Sequence, residues 1–349
     1  MAYRFKLNES ADKALLRTGS EQLQRALASL RNSNAREGIH GTRKCIKRLR
    51  ALLRLARAGL DKAAYQNLNT TLRDAGRTLS ATRDRDVLLA TTAELSAAEP
   101  HLRAALQRTS ANIVPPSGVA NLKQDAAVIR KARDLLQTAQ TDWQALELSD
   151  DTFATFAYGL ERGLRDIGQA YAETEGGDEE AFHDLRKTVQ RHWRHMRLVE
   201  AGWPAYFRAR AEEAKEISDL LGKAQDLTLL LRHLRIELPV SISGEALTEL
   251  IRTVEQRRTT FQDIARSHTS RLIAESPRAH ARRAAEYWTA SQMLRQEQLP
   301  HPAETPPVKA PAEIRPIAIH PAPRKRSART KPAAGKRAVK ASRTTRKPA

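Results

Sequence analysis

Apolar residues recur along most of this chain at the three- and four-residue spacing of a single helix face. Between residues 36 and 60 the set is Cys45, Ile46, Leu49, Leu52, Leu53, Ala56 and Leu60. At roughly 100° per residue these gather on one side of a helix. Few Gly or Pro interrupt residues 10–295, where Ala, Leu, Arg and Glu dominate. That is the composition of an all-α body. Punctuation falls near Arg31–Ala35, Gly59–Asp61, Ala98–Pro100, Pro115–Gly118, Leu148–Asp151, Gly176–Asp178, Gly202–Pro204, Pro239–Gly244 and Ser276–Pro277. It predicts helices over about 10–31, 36–58, 62–97, 120–147, 152–174, 179–200, 205–236, 246–274 and 278–298. Residues 299–349 lose the periodicity. They are rich in Pro, Ala, Lys and Arg, with almost no large apolar residue after Ile319. Such a segment buries too little surface to offset its ordering entropy, so a disordered tail is predicted.

The polar side of the second helix is unusual. Residues 40–57 read HGTRKCIKRLRALLRLAR, with seven Lys or Arg among eighteen residues and no acid. His40, Arg43, Lys44, Lys47, Arg48, Arg50 and Arg54 project to one side, His40 near the middle. Like charges at i, i+4 cost a helix roughly 0.2–0.5 kcal/mol per pair. An ordinary solvated face interleaves acids with its bases. A purely cationic face points instead to an anionic ligand.

Charge supports that direction. The chain carries a formal net charge of +20, as suits a protein that meets polyanions. Residues 301–349 contribute +11 of it, from 13 Lys and Arg against Glu304 and Glu313. The one cysteine, Cys45, excludes an internal disulfide framework and suits a reducing compartment. MAYRFKLNESADK has no apolar core of a signal peptide, and no apolar run approaches the roughly 20 residues that span a bilayer. A cytoplasmic protein with no membrane partner is expected.

The cationic pattern returns. Residues 183–198 read HDLRKTVQRHWRHMRL, and at an offset of 143 His183, Arg186, Lys187, Arg191 and Arg197 match His40, Arg43, Lys44, Arg48 and Arg54. Gln190 replaces Lys47 and Trp193 replaces Arg50, while Arg194 adds a charge opposite Ala51. LSATRDRDVLL at 79–89 likewise aligns with LGKAQDLTLLL at 221–231, at an offset of 142, pairing Asp84 with Asp226. Two stretches at nearly one offset argue for duplication of a unit of about four helices.

These motifs resemble the CHAD family, the conserved-histidine α-helical domains. The resemblance rests on His40-Gly-Thr-Arg43-Lys44 with Arg48, on His183-Asp-Leu-Arg186-Lys187 with Arg191, and on Thr82-Arg83-Asp84-Arg85-Asp86. It implies two pseudo-symmetric antiparallel four-helix bundles, residues 8–148 and 151–298 of a body spanning 8–298. It also implies a basic channel, lined by the two repeated helices, that binds inorganic polyphosphate. Many members carry a CYTH triphosphatase domain, marked by an early ExExK strand motif. That motif does not occur here. The second ARD reads Ala224-Gln225-Asp226, which weakens any role for Gln225.

Other chemistries compete. Glu37-Gly-Ile-His40 and Glu180-Ala-Phe-His183 have the ExxH spacing of di-iron bundles, and His183-Asp184 resembles the paired ligand of HD phosphohydrolases. A divalent cation there would face Arg43, Lys44, Arg186 and Lys187 with few carboxylates to compensate, so no metal is expected. Glu37 and Glu180 equally suit a first helical turn, and Asn34-x-x-Glu37 a capping box. His192 and His195 project toward the apolar side as core histidines, and Cys45 reads as a buried structural thiol. There is no P-loop, G-x-S-x-G or Rossmann fingerprint. No cofactor and no catalysis are expected.

The expected polyphosphate ligands are His40, Arg43, Lys44, Lys47, Arg48, Arg50, Arg54 and Arg83 from the first repeat. From the second they are His183, Arg186, Lys187, Arg191, Arg194 and Arg197. Arg73, Arg77 and Arg83 lie on the third predicted helix, and pairing of Arg83 with Asp84 or Asp86 competes with a ligand role. Association with polyphosphate granules follows from this reading. The alternative is a nucleic-acid-associated protein binding DNA or RNA through the tail, PRKRSARTKPAAGKRAVKASRTTRKPA.

Overall fold

Helix starts follow local chemistry. A computed structural model describes residues 3–32, 34–79, 84–113, 119–236 and 244–296, with backbone alone for 84 and 119–125. Ser10, Asn34, Asp61 and Asp178 accept hydrogen bonds from Lys13, Glu37, Ala64 and Glu180 N–H and so open α1 (Ala11–Ser29), α2 (Ala35–Leu55), α3 (Lys62–Thr78) and α8 (Glu179–Leu198). The Asn34 box is one-sided, because Asn34 N–H donates to Asn32 Oδ1 at 3.0 Å. Pro204 and Pro277 stand at the first positions of α9 (Pro204–Ile236) and α11 (Pro277–Gln296). The remaining helices are α4 (Asp84–Ala98), α5 (Arg103–Ile113), α6 (Val119–Gln144), α7 (Ala154–Glu173) and α10 (Gly244–Leu272). Gly177, at φ 71°, makes the left-handed turn from α7 to α8. The described residues contain no strand, and the fold is all-α.

Two corrections to the pattern concern residues 62–113. The helix expected over 62–97 is two helices, interrupted after Thr78. Arg43 explains the stop, since its Nη1 donates to Leu79 O at 2.9 Å and takes a carbonyl at the end of α3. A helix, α5, also occupies the stretch after Pro100 that had been given none. Its Ala105, Leu106, Thr109 and Ile113 are buried.

Helices α1, α2, α3 and α6 pack around one another in a ring, as do α7, α8, α9 and α10. Among the described residues, six α-helices fall within 8–148, where a unit of about four was expected. The extra pair, α4 and α5, sends Leu88, Leu95, Leu106 and Ile113 against Leu227, Leu230, Leu234 and Val254 of α9 and α10. Periodicity marks an apolar face but not the helix that will cover it. The packed chain also starts before residue 8: Phe5 N–H donates to Leu198 O at 2.8 Å, and its ring stacks on Phe156 at 4.5 Å. The tail beyond 296, with its expected disorder, lies outside the described residues.

The two rings meet where α7 crosses the end of α2. A Cβ on Gly159 would collide with Leu55 O, a backbone atom that cannot swing aside. Gly168, two turns on, faces open space. Gly159→Ala should therefore cost about 2–3 kcal/mol by overpacking. Gly168→Ala should gain up to about 1 kcal/mol from helix propensity. Urea midpoints of the two variants decide this, and equal shifts would contradict the packing.

Candidate functional site

The two basic helices touch at their apolar borders. His195 of α8, 1% exposed, places Nε2 2.9 Å from Ala51 O of α2. Facing a carbonyl, that nitrogen carries the proton. Beside this contact the polar faces of α2 and α8 border two adjoining cavities. One, of about 640 Å³, lies toward α9. The other, of about 750 Å³, lies toward α3 and α7. Arg43, Lys47, Arg50, Arg54, His183, Lys187 and Arg191 line both.

Nine of the expected residues are thus brought together: those seven, with Arg186 and Arg194 in the first cavity. His40 and Lys44 are exposed and line neither. Arg48 turns to the far side of α2, where Nη1 donates to Gln22 Oε1 at 3.2 Å and the guanidinium lies 5.3 Å over the Tyr3 ring. Arg197 instead pairs at 2.8 Å with Glu200, a carboxylate 3% exposed that also binds Arg208. Arg83 lies outside the described residues, as does the Asp84 side chain. Asp86 pairs with Arg36 at 2.5 Å.

Sequence reasoning named Gln225, Asp226, Arg73 and Arg77 without counting them among the ligands, and missed Arg232, Gln262, Asp166 and Glu173. Arg232, Gln225, Gln262 and Asp226 line the first cavity; Asp166 and Glu173 line the second, where Arg73 and Arg77 join them. Gln225 holds Arg186, whose Nη1 donates to its Oε1 at 2.7 Å. The discounted residue of the second ARD motif is thus a positioning group. Arg191 pairs with Asp166 at 2.6 Å, and Lys187 with Asp184 at 2.6 Å and Glu180 at 3.4 Å. Arg50 Nε donates to Asn69 Oδ1 at 3.2 Å.

The cations are held at a cost. Burial, then Arg54, Arg73 and Arg191, pull the Arg50 guanidinium below its ordinary pKa. Arg194 is lowered to about 10, by burial first and then by Arg48 and Arg186, against an opposing effect of Tyr3. The first cavity presents nine Lys or Arg against Glu179, Glu180 and Asp226. No ion pair engages Arg50 or Arg54 among the described residues. His183 adds a buried Nδ1 with no hydrogen-bond partner among them. Such a surface can do one thing well, which is to replace water around a multiply charged anion.

Among the described residues the ExxH pairs gather no third ligand. Glu180 is engaged by Lys187, and Glu37 stands exposed in the first turn of α2. Among the described residues only Glu213, Glu216 and His268 converge at ligand spacing, on another face, and Arg271 pairs with Glu213 there at 2.6 Å. Cys45 is buried, and burial raises its thiol pKa despite Arg48, Arg25 and Lys44. No described helix is long and apolar enough to cross a membrane.

No curated protein matches the chain. The CHAD domain from the plant Ricinus communis, known from a crystal structure, is similar at 19% identity and a TM-score of 0.47, with 82% of this chain and 95% of that chain covered. The CHAD domain family matches residues 14–235, more than half of the chain and a span that includes both basic helices, and the protein therefore belongs to the CHAD family.

Proposed function

We propose that the cavities between α2 and α8 bind inorganic polyphosphate without turnover, and that this binding carries the protein to polyphosphate granules. The observation that carries the reading is the imbalance in the first cavity of nine Lys or Arg against three carboxylates, with Arg50 and Arg54 lacking any ion-pair partner among the described residues. An anion with a charge on every repeating unit relieves that repulsion along its whole length. Arg forks bind its oxygens in pairs and Lys acts as a point charge. Correspondence of α2 and α8, each a member of a ring of four helices, supports reading the two rings as duplicated units.

The competing ligand is duplex DNA. Its rigid rod is less suited than a flexible phosphate chain to enter cavities between helices. Full-length protein held on long-chain polyphosphate should be displaced poorly by duplex DNA at equal phosphate concentration. Equal competition would favour binding by charge alone. Incubation with polyphosphate, triphosphate or ATP and Mg²⁺ or Mn²⁺ should release no phosphate above background. Hydrolysis abolished by His183→Ala or Asp184→Ala would overturn the non-catalytic reading.

A further inference from the structure

We propose that this site has two lobes, each taking one short oligophosphate, which a longer chain occupies together. The inference rests on the polyphosphate reading and adds how the ligand is divided. Along α2 the shared cations Arg43, Lys47, Arg50 and Arg54 stand at i, i+4, i+7 and i+11, a ladder roughly 16 Å long at 1.5 Å per residue. Lys187 and Arg191 face it from α8.

Each lobe adds cations of its own. Toward α9 these are Arg186, Arg194 and Arg232. Toward α3 they are Arg73 and Arg77. The volumes, about 640 and 750 Å³, fall within the roughly 300–1,000 Å³ that holds a small ligand. A short anion therefore settles on one lobe's cations plus part of the ladder. A second meets a ladder already partly neutralised, as well as the charge of the first, and binds more weakly. A chain reaching both lobes makes the second engagement intramolecular, and linked engagement multiplies affinity by about 10²–10⁴. The protein thereby selects for chain length without measuring chain ends.

Calorimetric titration of the full chain tests this with tripolyphosphate and with a defined oligophosphate long enough to reach both lobes. An Arg50→Glu/Arg54→Glu variant, titrated in parallel, supplies the contribution of the basic tail for subtraction. Unmodified protein should bind two tripolyphosphates, the second more weakly. Arg232→Glu and Arg73→Glu/Arg77→Glu should each bind one, with circular dichroism unchanged. The longer oligophosphate should bind once to all three, about tenfold or more weaker in either variant. A single tripolyphosphate on the unmodified protein, or loss of both in either variant, would overturn the two-lobe site while leaving polyphosphate binding intact. If neither anion binds better than sulfate, the polyphosphate reading fails, and the two lobes with it.

Discussion

Replacing Arg50 and Arg54 together by glutamate should weaken polyphosphate binding by about a hundredfold or more. Replacing Lys44 and Arg48, on the same helix, should weaken it by less than about tenfold. Each pair is two cations four residues apart, and each double reversal changes the net charge equally. Only the surroundings differ. Arg50 and Arg54 line both cavities, whereas Lys44 is exposed and Arg48 is turned toward Gln22 and Tyr3. Hydrogen bonds to charged groups contribute about 1.5–3 kcal/mol each, so losing two accounts for the hundredfold before repulsion is added. The apo variant should not lose stability. Arg50 is crowded by Arg54, Arg73 and Arg191, which pull its pKa down after burial has done so, and a carboxylate there relieves the repulsion. The ligand-induced rise in melting temperature, about 2.7 kcal/mol of stabilisation at a hundredfold excess over Kd, should vanish with Arg50 and Arg54 and survive with Lys44 and Arg48. Equal, modest losses in both variants would mean that the protein attracts anions by net charge alone.

That contrast also marks how far the sequence could be read. The apolar stripe of α2 and its acid-free opposite face are properties of one helix, and periodicity reveals both. Which part of a cationic face borders a cavity depends on the helices standing beside it. His40 falls near the middle of the projected face, yet it lies a turn before Arg43, and the cavity linings begin at Arg43. Arg197 repeats Arg54 in sequence but meets the buried carboxylate of Glu200, which follows α8 and has no counterpart in the motif. The carboxylates that α2 faces come from its neighbours, Asp166 and Glu173 from α7, Glu179, Glu180 and Asp184 from the start of α8, and Asp226 from α9, so a helix free of acids still faces some. Helices α4 and α5 posed the same problem in the core. The sequence pattern gives α5 no helix and runs α4 into α3, and the partners that cover them, α9 and α10, are more than a hundred residues away in sequence.

Acidification from pH 6.5 to 5 should remove roughly 3 kcal/mol of stability through His195 and His280 alone, with His192 adding to it. His192 and His280 are 1% and 0% exposed, their rings 5.4 Å apart, and all four ring nitrogens are buried without a hydrogen-bond partner among the described residues. Burial, then His280, Arg210 and His195, hold His192 far below the ordinary histidine value. Burial, then Arg210 and Arg283, bring His280 to about 3. Its closest acid, Glu275 at 3.6 Å, is already engaged by Arg210 and Arg283. Burial also brings His195 to about 3, aided by Arg191, Arg54 and Arg194 against the bond to Ala51. In the unfolded chain each titrates near 6.5. Between about pH 6.5 and 3 the unfolded state thus binds more protons, and stability falls as pH falls. The slope for each group is half of about 1.36 kcal/mol per pH unit at 6.5 and nears the full value by pH 5, so two groups over that interval give the figure above, a large part of the roughly 5–15 kcal/mol that holds a domain folded. Carboxylates with lowered values, such as Glu9 beside Arg17, act only nearer pH 4.5 and below. Urea unfolding at pH 7.5, 6.5 and 5 reads the slope, and His280→Phe should flatten it even if that variant is less stable at pH 7.5. A stability that stays level from 6.5 to 5, or a slope that His280→Phe leaves unchanged, would mean that this cluster accepts protons without opening.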